Sequence, residues 1–368
     1  MTAASREPWE LTLLEAASSI RDRRLSAVEL TRVMLDRIDQ LDRELRSYVT
    51  VSADLALRQA AAADHELRNG HVRGPLHGVP VALKDLIDTK DVRTTYGSKI
   101  FAGSTPTEDA AVTERLSAAG AVLLGKLKTT EFACTGYHPS VAPPLNPWNP
   151  GHWPGASSSG SGVATAARLS FGALGTDTGG SVRFPSSACG VVGLKPTAGT
   201  VSLRGVFPLA PSLDHVGPFA RTVADVAAIF GVIAGFDPRD PRSRRGAVPE
   251  CSASLDGTAR GLRIGIDERL CTSRVEAEVA ASVLRAARVL AEMGGELRDV
   301  AVPSLEDGVN AWSVIFAAEC AATHEETYAK HGEDYGPGIR QFLESGLQVR
   351  GVDYARAWET RLALRRAF

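Results

Sequence analysis

The chain has 368 residues, of which 44% are hydrophobic and 23% charged, and its formal net charge is −2. A chain of this length can bury a full core as one large domain or as two smaller ones, and the composition is that of a folded globular protein rather than a disordered one. The nearly balanced charge gives no electrostatic reason to expect nucleic acid or an anionic membrane as a partner. We therefore expect a small-molecule partner.

The five cysteines are widely spread and form no C-x-x-C pair, at Cys134, Cys189, Cys251, Cys271 and Cys320. This pattern predicts reduced thiols rather than a disulfide framework or a zinc site, and no motif calls for a cofactor. The N-terminus lacks a basic start followed by an apolar core, and no later stretch is apolar for long enough to span a membrane. We expect a cytoplasmic protein without a metal or cofactor.

Residues 1–70 are predicted to form a helical segment that packs on the core of the protein. Ser26 and Glu29 make a capping box, and apolar residues follow it at helical spacing. Ser52 is predicted to cap a second, alanine-rich helix that closes at Gly70.

Residues 71–236 are predicted to form the central α/β core, because strand and helix patterns alternate there. The predicted strands are 79–83, 121–124, 171–175 and 191–194, and the predicted helices are 110–119, a short one near Thr129, 158–167 and 224–234, the last capped by Thr222. Such alternation is typical of an α/β fold whose sheet is covered by helices on both faces.

The other segments are predicted to surround and extend this core. The proline-rich segment 139–154 is predicted to be a surface loop that covers the functional site described below. Residues 237–261 are polar and broken by prolines, which predicts a linker or insertion. Residues 262–368 continue the same domain with a strand at 262–266, a helix at 275–293 and a strand at 296–302.

The glycine-rich stretch 175–181 ends on a serine, Ser181, that has the surroundings of a nucleophile. Its glycine pair allows a turn in which the backbone N–H groups of Thr178, Gly179, Gly180 and Ser181 converge. Such donors stabilise the negative charge that develops on a carbonyl oxygen during acyl transfer. Taken alone, the same residues also fit an ordinary turn, and that alternative stays open.

A serine nucleophile needs a base, and Lys84 is the candidate. It follows an apolar run at 79–83, so burial at a strand end would lower its pKa towards neutrality. The alternative is an exposed lysine whose charge reaches solvent. His215, beside Asp214, is predicted to make a structural hydrogen bond, since the serine does not lie in the G-x-S-x-G context of α/β-hydrolases.

Three motifs in this order resemble the amidase signature family: Lys84 within 78–85, the serine-rich loop 154–161 and the segment 175–187. The resemblance extends from about residue 11 to the end of the chain. It implies the amidase signature fold, with a large mixed sheet, and a Ser-Ser-Lys triad of Ser181, Ser157 and Lys84. It also implies that Ser157, the bridging serine, follows a cis peptide bond.

The activity that this resemblance implies is hydrolysis of a carboxamide to a carboxylate and ammonia or an amine, through an acyl-enzyme on Ser181. Asp177 and Arg183 would pair to hold the nucleophile loop, with Ser158 in a supporting role. Tyr137, Trp153 and Phe184 are predicted to line an apolar substrate pocket, unless they serve only for packing. A homodimer is left open.

Two other functions stay open. Phe184 stands where the A-type subunits of tRNA-dependent amidotransferases usually carry glutamine, which favours a stand-alone amidase over a subunit of that type. The chain also stops at Phe368, where members of the family usually continue, so we expect a shortened C-terminal part. An inactive shortened homologue is therefore the second alternative.

Overall fold

A six-stranded mixed sheet organises the computed structural model, which describes residues 6–255 and 257–368. Its spatial order is β1-β3-β2-β4-β6-β5, and β2 lies parallel to both of its neighbours while the other pairs are antiparallel. The predicted α/β fold with a mixed sheet is confirmed. The strands are β1 Tyr48–Val51, β2 Pro80–Lys84, β3 Val122–Leu127, β4 Gly172–Thr176, β5 Val192–Gly193 and β6 Val216–Ala220.

The helices around this sheet begin where side chains satisfy the first free N–H groups. Ser26 accepts a hydrogen bond from the Glu29 N–H at 3.0 Å and its own N–H donates to the Glu29 carboxylate at 2.9 Å, which confirms the predicted capping box. Thr222 likewise caps its helix, as predicted. The helices are α1 Leu13–Arg21, α2 Ala27–Leu45, α3 Ala53–Arg68, α4 Ala111–Ala118, α5 Ser159–Ala166, α6 Arg183–Cys189 and α7 Val223–Ile233, with short 3₁₀ turns at Pro8–Glu10 and Glu131–Ala133.

The prediction that residues 1–70 are entirely helical was wrong. Tyr48–Val51 forms the edge strand β1, antiparallel to β3, because a short run with two β-branched valines and a threonine finds a free sheet edge. This pairing also changes the role of Ser52, which starts α3 without capping it. Its hydroxyl donates instead to the Leu123 carbonyl at 3.0 Å. Neither α6 nor β6 was predicted.

The chain divides into two compact units. The first contains the described part of Met1–Cys251 together with Phe316–Gln348, and so holds the six-stranded sheet. The second contains Ser252–Ile315, apart from residue 256, and Val349–Phe368. The remaining elements are α8 Glu268–Thr272, α9 Ala277–Glu292, α10 Glu306–His331, α11 Pro337–Leu347, α12 Gly351–Ala367, a 3₁₀ turn at Ser252–Ser254 and another at Gly332–Asp334, and the parallel strands β7 Arg263–Ile266 and β8 Glu296–Asp299.

The centre of the first unit is the most buried part of the described chain. Strands β2, β3 and β4 are buried along their whole length, and α5 packs on β2, β3, β4 and β6. Since β2 and β4 are parallel neighbours, their carboxyl ends, Lys84 and Thr176, meet at one edge of the sheet. None of the helices in residues 6–255 and 257–368 combines the length and apolar character needed to cross a bilayer.

Candidate active site

Lys84 lies at the carboxyl end of β2 and is fully buried. Its Nζ donates to the Ser157 Oγ at 2.7 Å and to the Thr176 Oγ1 at 2.7 Å. The parallel pairing of β2 with β4 explains the second contact, because it brings the ends of both strands together. The alternative of an exposed lysine is therefore wrong.

Burial decides the protonation of this lysine. Removing Nζ from water disfavours the ammonium form and lowers the pKa of Lys84 to about 7, although the negative charges of Asp177 and Asp214 act in the opposite direction. An ordinary lysine is almost entirely protonated at neutral pH, whereas about half of a group with this pKa is a neutral amine. Lys84 can thus accept a proton at neutral pH.

The serine-rich loop is fastened to the end of β4. The Ala156–Ser157 peptide is cis, as the resemblance implied, and Ser157 is buried. Ser158 Oγ accepts from the Thr176 N–H at 3.2 Å and donates to the Thr176 carbonyl at 3.1 Å. Gly175 permits this approach, since a Cβ there would lie 2.6 Å from the Ser158 Oγ. Ser158 therefore fixes the loop that carries Ser157.

Ser181 lies just before α6 and is half-buried. It follows Gly180, whose φ of 133° favours glycine. Among the described residues, no group forms a hydrogen bond with the Ser181 hydroxyl. The predicted triad needs two contacts. The hydrogen bond between Lys84 and Ser157 is present, whereas Ser157 and Ser181 are not hydrogen-bonded.

The Asp177 carboxylate holds the loop that carries Ser181, residues 177–182, from its buried side. Its buried carboxylate accepts from the N–H groups of Gly180 at 2.9 Å and Val182 at 3.1 Å. It also accepts from the Arg183 Nε at 3.0 Å and Nη2 at 2.8 Å, so the predicted pair is present. Burial raises the pKa of Asp177, but the hydrogen bonds and charge of Arg183 outweigh burial and bring it below its ordinary value. The carboxylate is thus held ionised beside Ser181.

This arrangement corrects one member of the predicted oxyanion hole. The Gly180 N–H donates to Asp177 and is not free to bind a substrate oxygen. In the described part of the chain, the N–H groups of Gly179 and Ser181 have no acceptor, so these two remain available. The Thr178 hydroxyl donates to the Asp214 carboxylate at 2.6 Å.

The predicted pocket residues are only partly brought together. Trp153 and Phe184 lie with ring centroids 6.0 Å apart, and the two residues are 59% and 50% exposed. The Phe184 ring covers Gly180, where a Cβ would collide with it. Tyr137 does not join them: its hydroxyl pairs with the Ser159 Oγ, and it makes no ring contact with any described residue. An exposed aromatic pair therefore lies beside the loop that carries Ser181.

Thr176 and Asp214 were missed as site residues. The sequence placed Thr176 at the end of a predicted strand, which was the only indication of its role. That this strand pairs with the strand of Lys84 could not be predicted from the sequence. His215, predicted to be structural, has its Nδ1 3.2 Å from the Asp177 carbonyl, and burial lowers its pKa. Within residues 6–255 and 257–368, no group of three or more His, Cys, Asp or Glu is placed to hold a metal ion.

Known proteins resemble the chain over nearly its whole length. The family model described as Amidase matches residues 29–366. AmiD of Mycobacterium tuberculosis, an amidase by name, is 45% identical, with 98% of this chain and 76% of AmiD aligned. The A-type subunit of the glutamyl-tRNA(Gln) amidotransferase of Methylococcus capsulatus is 43% identical over 84% of this chain and 64% of its own length.

A solved structure shows the same arrangement of elements. The peptide amidase of Stenotrophomonas maltophilia superimposes with a TM-score of 0.85 at 34% identity, covering 95% of this chain and 78% of that enzyme. Family match, relatives and fold agree with the motifs around Lys84, Ser157 and Ser181. The chain belongs to the amidase signature family of amide-hydrolysing enzymes.

Proposed function

We propose that this amidase cleaves its substrate through an acyl-enzyme on Ser181, with Ser157 and Lys84 as the proton relay. The observation that carries the proposal is the buried Lys84 amine, hydrogen-bonded to Ser157 Oγ at 2.7 Å. With its pKa lowered to about 7 by burial, this amine can act as a base at neutral pH.

The reaction starts with two coupled proton transfers. The neutral Lys84 amine takes a proton from the Ser157 hydroxyl, and Ser157 takes one from Ser181. Ser181 Oγ forms a bond to the amide carbon, whose oxygen becomes negative. The N–H groups of Gly179 and Ser181 have no acceptor in the described chain and would donate to this oxygen.

Collapse of this intermediate completes the first half of the reaction. The relay returns a proton to the leaving nitrogen, the carbon–nitrogen bond breaks, and ammonia or an amine departs. The same relay then takes a proton from water, whose oxygen bonds to the acyl carbon. The ester bond to Ser181 breaks, and the relay returns its proton to the Ser181 Oγ. The acid product releases its proton to solvent and leaves as a carboxylate.

The aromatic pair beside the nucleophile loop supports an apolar group in the substrate. Phe184 presents an exposed ring next to Gly180, and the exposed Trp153 ring lies beside it with the centroids 6.0 Å apart. Apolar rings of this kind bind flat or aliphatic groups by excluding water. We propose an amide with an apolar substituent as the preferred substrate.

The A-type subunit of a tRNA-dependent amidotransferase is the second candidate function, because relatives of that name are 38–43% identical. A protein of this kind would be expected to release ammonia from glutamine and to co-purify with partner chains. The two functions are separated by assaying the purified chain with glutamine and with an apolar primary amide. Turnover of glutamine alone would favour the amidotransferase.

The test of the Ser181 mechanism is the reaction of the purified chain with a fluorophosphonate, which labels activated serines. We expect a single adduct by intact mass, mapped to Ser181 by peptide analysis. The labelling rate should rise with pH around a midpoint of about 7, because Lys84 must be neutral to accept the proton.

The matched control is Ser187→Ala, since Ser187 is an exposed serine on α6, in the same segment. This variant should label as fast as the native chain. A folded native chain that gains no adduct, or gains it at another residue, would overturn the mechanism and support the inactive homologue.

The substrate proposal predicts that Phe184→Ala discriminates between amides. We expect kcat/KM to fall about tenfold for an anilide and to stay unchanged for acetamide. Phe184 is already half-buried, so covering the rest of its ring with substrate is worth about half of the ~1.5–3 kcal/mol for burying a whole aromatic side chain, close to the ~1.4 kcal/mol of a tenfold change. Phe236→Ala is the control, since this partly exposed ring packs with Arg245 instead. Equal losses for both amides would contradict a role in substrate selection.

A further inference from the structure

Asp214 occupies a place beside the site that the proton relay does not use. Its Oδ1 accepts from the Thr178 hydroxyl at 2.6 Å, and its Oδ2 accepts from the Leu209 N–H at 2.9 Å. The Ala210 N–H is shared between the two oxygens at 3.2 Å each. Among the described residues, no arginine or lysine forms an ion pair with this carboxylate.

The titratable groups whose charges interact with Asp214 or Lys84 come from three elements. Lys84 on β2 is affected by the Asp214 charge, together with that of Asp177 on the nucleophile loop. Glu319 and Cys320 face Asp214 from α10, and the Glu319 carboxylate accepts from the Ser212 N–H at 2.8 Å. Burial, and to a lesser extent Glu319, raise the pKa of Asp214 to about 6.

We propose that Asp214 is a positioning residue for the amide hydrolysis: its carboxylate holds Thr178 next to the nucleophile, and its negative charge acts on Lys84 to set the pH range of the reaction. This inference rests on the proposed relay through Ser157. Asp214 itself touches no reacting atom.

The first half of the proposal follows from the hydrogen bonds. Thr178 is the start of the turn that carries Gly179 and Ser181, the two residues with free N–H groups. A hydroxyl fixed at 2.6 Å to a carboxylate, which is itself fixed by two backbone N–H groups, limits the movement of that turn. Preorganised donors are effective because they need not rearrange as the oxyanion forms.

The second half follows from the sign of the charge. A nearby negative charge favours the protonated form of Lys84, so Asp214 keeps the pKa of Lys84 higher than burial alone would make it. Replacing Asp214 with asparagine removes the charge and keeps the size of the side chain. The acid limb of the pH profile, where kcat/KM falls because Lys84 becomes protonated, should then move to lower pH by roughly half a unit to one unit.

The experiment compares pH profiles of kcat and KM for the native chain, Asp214→Asn and Thr178→Val. Asp214→Asn should move the acid limb to lower pH and lower kcat about tenfold, the loss expected for a less ordered donor. Thr178→Val should lower kcat without moving the limb, because the carboxylate stays in place, and Thr178→Ser should restore most of kcat because it restores the hydroxyl.

Asp42→Asn is the matched control. The Asp42 carboxylate also accepts from one hydroxyl and two backbone N–H groups, those of Ser47 and Tyr48, and burial also raises its pKa. It is not among the charges that act on Lys84. This variant should lose stability without any change in the limb or in kcat of the folded enzyme.

The pH profile tests the electrostatic role of Asp214, and the Thr178 variants test its positioning role. An unmoved acid limb in a folded Asp214→Asn variant would overturn the electrostatic role, and equal kcat for Thr178→Val and the native chain would overturn the positioning role. If Asp214→Asn does not fold, the comparison of Thr178→Val with Thr178→Ser still decides the positioning role. Failure of the relay itself would be recognised separately, by a Lys84→Met variant that keeps full activity.

Discussion

Replacing Lys84 with methionine is expected to lower kcat/KM by about 10²–10⁴-fold, the usual contribution of a positioned general base. Methionine keeps an unbranched side chain in the buried space but cannot accept a proton. Ser157 then has no base to deprotonate it, since Lys84 Nζ is the group at 2.7 Å from its Oγ. Steady-state kinetics on an apolar amide, corrected for the folded fraction, measure the loss.

Lys126→Met is the matched control for this experiment. Lys126 is also fully buried, lies on the neighbouring strand β3, and has its pKa lowered to about 8 by burial. It donates to the Thr94 hydroxyl at 2.8 Å and to the Ile87 carbonyl, which belong to the loop after β2. Its loss should cost about 1–3 kcal/mol of stability through unpaired acceptors but leave the activity of the folded molecules unchanged.

Comparing the two lysine variants separates the loss of a catalytic base from the structural effect of removing a buried lysine. If both lysine variants lose activity to the same degree, the loss of a buried lysine alone explains the effect and the base role of Lys84 fails. If Lys84→Met alone loses activity, its remaining rate should also lose the midpoint near pH 7, because no group with that pKa is left in the relay.

Local patterns predicted the parts of the site that lie within one segment. The apolar run before Lys84 indicated a buried strand end, and β2 is buried at every position. The glycine pair before Ser181 indicated a turn, and Gly180 has a φ of 133°. The capping box of α2 was read from Ser26 and Glu29. Each of these features depends on neighbouring residues, so the sequence contains the required information.

Contacts between distant segments could not be predicted in the same way. Thr176 reaches Lys84 only because β2 and β4 are parallel neighbours. Thr178 meets Asp214 only because β4 and β6 pair antiparallel, which places the residues just beyond the paired ends opposite each other. The use of the Gly180 N–H by Asp177 depends on the exact shape of the turn. No periodicity or residue spacing in the sequence predicts these contacts, because they depend on how distant segments pack in the folded chain.

The elements that the sequence did not predict have the same explanation. The strand β1 is only four residues long and lies between two helical segments, so the sequence pattern around it predicted helix. Its strand conformation is stabilised by pairing with β3, which the local sequence does not reveal. The helix α6 contains Pro185 among serines, a composition typical of a turn. Burial of Pro185 and Ser186 against the core stabilises this helix more than its own propensity does.

Replacing Ser181 with alanine is expected to lower kcat by about 10⁶-fold, the effect of removing the nucleophile from a serine hydrolase. The structure also predicts that this variant stays as stable as the native chain, within about 0.5 kcal/mol. The reason is that no described group forms a hydrogen bond with the Ser181 hydroxyl, so its removal leaves no partner unsatisfied. Thermal unfolding and kinetics of the same preparation measure both effects.

A double variant shows whether Ser181 and Lys84 act as one unit. When a base serves only to activate a nucleophile, its removal has no further effect once the nucleophile is gone. The variant with both Lys84→Met and Ser181→Ala should therefore be no slower than Ser181→Ala alone. Multiplied losses would mean that Lys84 acts on the substrate independently of Ser181, and residual kcat above about one hundredth in Ser181→Ala would place the nucleophile at another residue.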